Sequence, residues 1–321
     1  MNMADNALAQ DPLDTLMWRA EDLNHQGRWL HAVQCYFSVL DAYPDHVPAY
    51  LALAHIYMKH EQWRAARDLL HRGLVAVGDD PLLNLHLGNV YLNEENLDKA
   101  MSCYRATLRV DPESAAALYN LGLALVRQGR NAEAITVLSS LVGKRPEFPG
   151  LPELLGSTYL AVGRPERALA VMLPAETGVP DHARLLYLIA QALSAEHRWS
   201  EALPRLRKAH LLTPDDAEIM RSYGCAFVML GRTAEGVSWL KRAVETDPTL
   251  LYAHLNLAAA YHEQGHGSEA RAALEAAHRI DPENPWVDSC LKEWGYATAS
   301  GNGTFEGSHG SRSEDRGDAY R

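Results

Sequence analysis

The sequence predicts an all-α solenoid of eight antiparallel helix pairs, closed by a C-terminal capping helix. Three observations carry this reading. First, Pro112, Pro146, Pro180, Pro214, Pro248 and Pro282 recur every 34 residues, and stepping back reaches Gly78 and then Pro44. This register divides the chain into repeats 13–46, 47–80, 81–114, 115–148, 149–182, 183–216, 217–250 and 251–284. Second, two positions in each repeat are always small. Position 8 is Ala20, Ala54, Gly88, Gly122, Gly156, Ala190, Gly224 and Ala258; position 20 is Ala32, Ala66, Ala100, Ala134, Ala168, Ala202, Gly236 and Ala270. Ala and Gly together supply only 68 of 321 residues, so sixteen such positions in step are not chance. Third, two positions are always large: position 11 (Leu23, Tyr57, Tyr91, Leu125, Tyr159, Leu193, Phe227, Tyr261) and position 24 (Tyr36, Leu70, Tyr104, Leu138, Met172, Leu206, Leu240, Leu274).

The spacing turns these positions into helices. Positions 4, 7, 8 and 11 fall on one face of a first helix, and positions 20, 24 and 27 on one face of a second. Small residues at 8 and 20 let the two helices approach, and the large residues fill around them. A turn near position 15 is marked by Gly27, Gly129, Gly163, Gly231 and Gly265, since glycine suits a helix C-terminus. The proline ending each repeat cannot continue a helix. One pair cannot bury its apolar faces alone, but stacked neighbours bury them as a continuous core.

The elements follow in order. Residues 1–12 form a leader. Repeats five and six carry unusual prolines, with Pro149 and Pro152 at the entry and Pro174 and Pro204 inside second helices. They predict a local bend or weak spot around 145–205, either a tolerated kink or a hinge between two halves. Residues 285–298 form the cap, with Asn284 as N-cap, Pro285 at the first position and Lys292 where a repeat would have Ala or Gly. The tail 299–321 is rich in Gly, Ser and charge and is expected to be disordered.

The 34-residue period and the residues quoted resemble the tetratricopeptide repeat family over 13–284. The resemblance implies a right-handed superhelix with a concave groove, lined mainly by first helices, that receives peptides or partner helices. The family's aromatic at position 4 is replaced by Asn84, Pro152 and His254, which is expected to loosen those units.

Composition narrows the function classes. The net charge of −11 argues against a nucleic-acid binder. No stretch has the length and apolarity of a membrane span, and the N-terminus does not read as a secretory signal. Cys35, Cys103, Cys225 and Cys290 have no metal-ligand spacing and read as reduced thiols, so a cytoplasmic location is expected. An excess of arginine (24) over lysine (6) suggests a bacterial source. One string looks catalytic: His262, Glu263 and His266 spell the zinc-peptidase pattern HExxH. It spans the turn glycine Gly265, so the second histidine should fall beyond the helix end and the two rings should diverge. No enzymatic role, cofactor or metal is expected.

The resemblance implies that positions 2, 5, 6, 9, 12 and 13 face the groove. The candidate partner-binding residues are Leu51, His55, Met58, Leu85, His86, Asn89, Leu92, Tyr119, Asn120, Arg127, Tyr187, Gln191, Arg221 and Asn256, with Val126 and Leu160 beside them. An apolar lining with a few amides suits an amphipathic helix or an extended segment, with Tyr119 and Tyr187 as anchors. Trp29, Trp63 and Trp199 share position 17 and read as core. Some family members clamp a chaperone's C-terminal carboxylate with Lys, Asn, Asn, Lys and Arg. Asn89 and Asn120 match the asparagines, but Leu85, Gly150 and Leu154 stand where cations would, so chaperone-tail binding is not expected. The expected role is a protein-binding adaptor or assembly chaperone, with a partial resemblance to the much shorter tetratricopeptide chaperones of type III secretion. The alternatives are a structural subunit that uses its convex face or ends, and, disfavoured, a zinc hydrolase.

Overall fold

The computed structural model describes residues 12–295. The leader before Pro12, the segment after Gly295 and the tail 299–321 lie outside the described residues. Among the described residues there are seventeen helices and no strand. The chain forms two compact units that meet between Leu151 and Pro152. The first unit holds α1 (Pro12–His25), α2 (Trp29–Ala42), α3 (Val47–Lys59), α4 (Trp63–Val77), α5 (Pro81–Asn93), α6 (Leu97–Val110), α7 (Ala115–Arg127) and α8 (Asn131–Lys144). The second begins with α9 (Leu151–Ala161), which starts at the boundary. It continues with α10 (Pro165–Gly178), α11 (Ala183–Ala195), α12 (Trp199–Leu212), α13 (Ala217–Met229), α14 (Thr233–Thr246), α15 (Leu251–Glu263), α16 (Gly267–Ile280) and α17 (Pro285–Glu293).

Within each unit, a helix packs on the next in sequence. First helices also touch first helices: α3 meets α5 and α5 meets α7, while α11 meets α13 and α13 meets α15. The close approach comes from the small positions. All eleven alanines at positions 8 and 20 are fully buried. Where position 8 is glycine, the large residue at position 24 sits directly over it. A Cβ on Gly88 would lie 2.5 Å from the Tyr104 ring, and Gly122, Gly156 and Gly224 face Leu138, Met172 and Leu240 in the same way. Each such fully buried large side chain contributes about 1.5–3 kcal/mol.

The turn inside each pair is identical in kind across all eight repeats. Position 15 has positive φ whether it is glycine (Gly27, Gly129, Gly163, Gly231, Gly265) or not: Glu61 and Glu95 are at 57° and His197 is at 58°. The next residue's N–H donates back to the position-11 carbonyl at 2.8–2.9 Å, from Arg28 to Leu23 through His266 to Tyr261. This is a Schellman closure, which satisfies a carbonyl that the helix end leaves open. The sequence marks five of these turns with glycine; the other three accept left-handed strain for the same bond.

One expectation changes. Asn84 and His254 do not loosen their repeats. The Tyr50 hydroxyl donates to the Pro44 carbonyl at 3.0 Å, and the His254 Nε2 makes the same bond to Pro248, also six residues back. Asn84 donates to the Asp79 carboxylate and the Asp80 carbonyl. A polar tip that reaches the preceding loop replaces the aromatic one. Pro174 and Pro204 lie inside the second helices α10 and α12, where the sequence places them, and both helices run through them. Both prolines lie on the exposed side, where water can take the carbonyls they leave unbonded. At the unit boundary, the connection from α8 to α9 takes six residues, 145–150, against four at 111–114.

The cap is anchored at both ends. Asn284 Oδ1 accepts from the Trp286 N–H at 3.1 Å, and Val287, Cys290 and Leu291 are buried. Lys292 is exposed. At the far end, Trp294 stacks on His262 with centroids 4.2 Å apart and planes 5° from parallel.

Two substitution sets test this packing. Gly236→Ala would put a Cβ 2.7 Å from the Gly224 carbonyl oxygen, a backbone atom that cannot step aside. It should cost about 1–3 kcal/mol. Gly143→Ala meets nothing within 4 Å and should gain up to about 1 kcal/mol. Urea denaturation midpoints check both. Separately, Glu61→Gly, Glu95→Gly and His197→Gly should each raise stability by up to about 1 kcal/mol, because glycine adopts the left-handed turn without strain. Equal or lower thermal midpoints would count against that turn geometry.

Candidate functional site

The first helices carry the residues that the repeat does not spend on its own core. In the first unit, α3 supplies Leu51, His55 and Met58, α5 supplies Leu85, His86, Asn89 and Leu92, and α7 supplies Tyr119, Asn120, Val126 and Arg127. Leu51, Met58, Leu85, Leu92 and Val126 are half-buried and pack on the core below while keeping an outer surface. Asn89 joins two repeats: its Oδ1 accepts from the Tyr104 hydroxyl at 3.0 Å and from Asn120 Nδ2 at 2.8 Å. With one oxygen so held, the Asn89 amide is fixed in orientation. Arg127 reaches the Leu92 carbonyl at 3.5 Å and is exposed.

Two residues of this face have unusual surroundings. The buried Nδ1 of His86 has no hydrogen-bond partner, and burial, with His55 nearby, pushes the imidazole pKa below its usual value. His55 itself is exposed. Tyr119 does not stand free as an anchor. Its ring tilts against Phe148 at 5.2 Å, and its hydroxyl lies over Gly150, where a Cβ would be only 2.8 Å away.

In the second unit, the expected groove residues sink deeper. Tyr187, Arg221 and Asn256 are only 8%, 9% and 2% exposed, and Gln191 is half-buried. They form two neighbouring hydrogen-bonded groups. Gln191 Nε2 donates to the Tyr187 hydroxyl at 2.8 Å, Arg221 Nε donates to Glu218 at 2.8 Å, and Arg221 Nη1 donates to Asn256 Oδ1 at 3.3 Å. Tyr187 is therefore no exposed anchor. Its ring is buried, and burial raises its hydroxyl pKa, an effect that Arg221 opposes.

Beside this set lies a cavity of about 280 Å³, lined by Leu160, Gln191, Ser194, Ala195, Trp199, Arg221, Ser222 and Cys225. Burial pushes the Cys225 thiol up to about 11, against the pull of Arg221. Sequence reasoning missed Ser194, Ser222 and Cys225 here and placed Trp199 in the core. Trp29, Trp63 and Trp199 are in fact half-buried, because position 17 lies at a helix start on the edge of the pair. The signal that could have found the cavity is the coincidence of position 17 in one repeat with positions 5, 6 and 9 of the next.

The HExxH string does not lie on one helix. α15 ends at Glu263, Gly265 takes the left-handed turn at φ 76°, and His266 precedes α16. The His262 ring stacks on Trp294 while His266 faces Tyr261, with centroids 6.1 Å apart. Among the described residues, no three His, Cys, Asp or Glu side chains are grouped to hold a metal ion. Nor is any described helix long and apolar enough to cross a membrane.

Comparison with known proteins agrees with this architecture. Two family models, each described as tetratricopeptide repeat, match residues 85–152 with 187–250 and residues 23–89 with 227–289. The chain is 26% identical over 238 residues to BBSome complex member BBS4 of Bos taurus, covering 74% of this chain and 45% of that protein. It is 21% identical over 254 residues to TPR repeat-containing protein YpiA of Bacillus subtilis, covering 77% and 60%. It thus spans about half of the bovine relative's length. Among solved structures, Cut9 with Hcn1 of the APC/C superposes with a TM-score of 0.60 at 16% identity, over 90% of this chain and 56% of that one. Pseudomonas aeruginosa pilF gives a TM-score of 0.56 at 20% identity, over 63% and 91%. With both family models in register along the repeats, the chain belongs to the tetratricopeptide repeat family.

Proposed function

We propose that this chain is a protein-binding scaffold that holds a segment of a partner, an amphipathic helix or an extended peptide, on the face made by its first helices. The observation that carries the reading is the first-unit face. There, α3 and α5 carry half-buried Leu51, Met58, Leu85 and Leu92, and Asn89 on α5 is held to Asn120 on α7 in a fixed orientation. Apolar surface gives such a segment affinity, and oriented amides give it register. The finer role is a bacterial, cytoplasmic adaptor or assembly chaperone that acts by shape rather than by a reaction.

A second reading is a structural subunit of a larger complex, contacted through second helices. It draws on the likeness to a protein named as a BBSome complex member. It also draws on Val75 and Val110, on α4 and α6, which are 88% and 55% exposed.

One comparison separates the two. Tagged full-length protein is used to recover partners from its host, identified and quantified by mass spectrometry. Leu51→Gln with Leu85→Gln should lower recovery of the main partner about tenfold or more, with helicity and melting little changed. Val75→Glu with Val110→Glu should leave recovery intact. The reverse pattern would reject the first-helix face and favour the structural subunit.

A further inference from the structure

The cavity in the second unit has a chemistry of its own. Its cation is already matched: Arg221, 9% exposed, gives its Nε to the Glu218 carboxylate at 2.8 Å. A second bond runs from Nη1 to Asn256 at 3.3 Å, and a third N–H is given to the Cys225 thiol, which leaves two of the five guanidinium donors for other partners. Gln191 spends its Nε2 on Tyr187, which leaves its Oε1 as an acceptor on the same wall. Leu160, Ala195 and Trp199 supply the apolar part of the lining, and Ser194, Ser222 and Cys225 complete it.

A guest that fits must be uncharged overall, present an acceptor to Arg221 and a donor to Gln191, and carry an apolar stem. A carboxylate guest would share one guanidinium with Glu218 and add a second negative charge beside a cation that is already paired. An ammonium guest would face Arg221 itself. A purely apolar guest would strand the remaining donors. A primary amide meets every demand, with its C=O toward Arg221 and its NH₂ toward Gln191.

We infer that this cavity is a binding pocket for an uncharged amide side chain, glutamine or asparagine, of the bound segment, with its stem lying along Trp199 and Leu160. The inference rests on the reading of the first helices as a protein-binding face and names the side-chain chemistry that one part of that face selects.

The test needs no identified partner. Full-length protein labelled at its tryptophan indoles is titrated at pH 7 with three capped amino acids, the N-acetyl methylamides of glutamine, glutamate and norleucine. The Trp199 resonance is assigned through Trp199→Phe. The glutamine probe should shift that resonance saturably, with a dissociation constant on the order of millimolar for so small a ligand. The glutamate and norleucine probes should bind about fivefold more weakly or worse. Ala195→Trp, at the exposed rim, should abolish the shift while leaving the fold intact. Equal or tighter glutamate binding would make this a carboxylate site and overturn the inference. So would equal norleucine binding, no saturable shift with glutamine, or a shift that survives Ala195→Trp. If the probes fail while Leu51→Gln with Leu85→Gln still abolishes partner recovery, only the pocket assignment falls. If the probes bind while those variants have no effect, the pocket stands and the first-unit face falls.

Discussion

Each repeat depends on two side chains that are nearly absent. Positions 8 and 20 carry at most a methyl group, so the two helices of a pair come close enough for the position-24 side chain to cover position 8. In repeat seven both positions are glycine, and the Gly224 and Gly236 backbones face each other directly. A larger residue at either place would separate the pair and open the layer between neighbours. That constraint also allots the rest of the first helix. Positions 4, 7, 8 and 11 are spent on packing, whereas positions 5, 6, 9 and 12 keep an outer surface in the first unit and turn to internal hydrogen bonds at Tyr187, Arg221 and Asn256 in the second.

Most of the fold was legible because its signals are local and repeated. Period, small positions and large positions all speak within one 34-residue unit. What was not legible involved substitution of one chemistry for another. Nothing in Glu61, Glu95 or His197 announces a left-handed turn; the closing bond to position 11 imposes it. His254 does not resemble Tyr50 in a sequence, yet its Nε2 sits where a tyrosine hydroxyl would and finds the same kind of carbonyl. Pro174 and Pro204 read as a bend or weak spot under a rule that does not ask which side of the helix the ring faces; both lie on the exposed side of helices that run through them.

The site was legible only as a set of positions. The first-unit candidates lie on α3, α5 and α7, but Tyr119 is engaged by Phe148 and the loop that contains Gly150. In the second unit, Tyr187, Arg221 and Asn256 are buried because they bond with their own neighbours and across repeats: Arg221 to Asn256 spans 35 residues. Reading one repeat at a time cannot reveal a contact of that range. The cavity beside Trp199 was hidden for the same reason, since its walls come from three successive first helices and the start of one second helix. The HExxH string shows the opposite error. Its spacing is right, but a turn divides it, and His262 serves instead as a platform for the Trp294 ring of the cap.

The central claim is that partners meet this chain on its first helices. Hydrogen–deuterium exchange of the full chain, with and without its main co-purified partner, tests it most directly. The account predicts new protection in α3, α5 and α7, extending to α11 and α13 if the cavity is engaged, with α4, α6, α12 and α14 unchanged. Protection confined to those second helices, or to the cap helix α17, would contradict it.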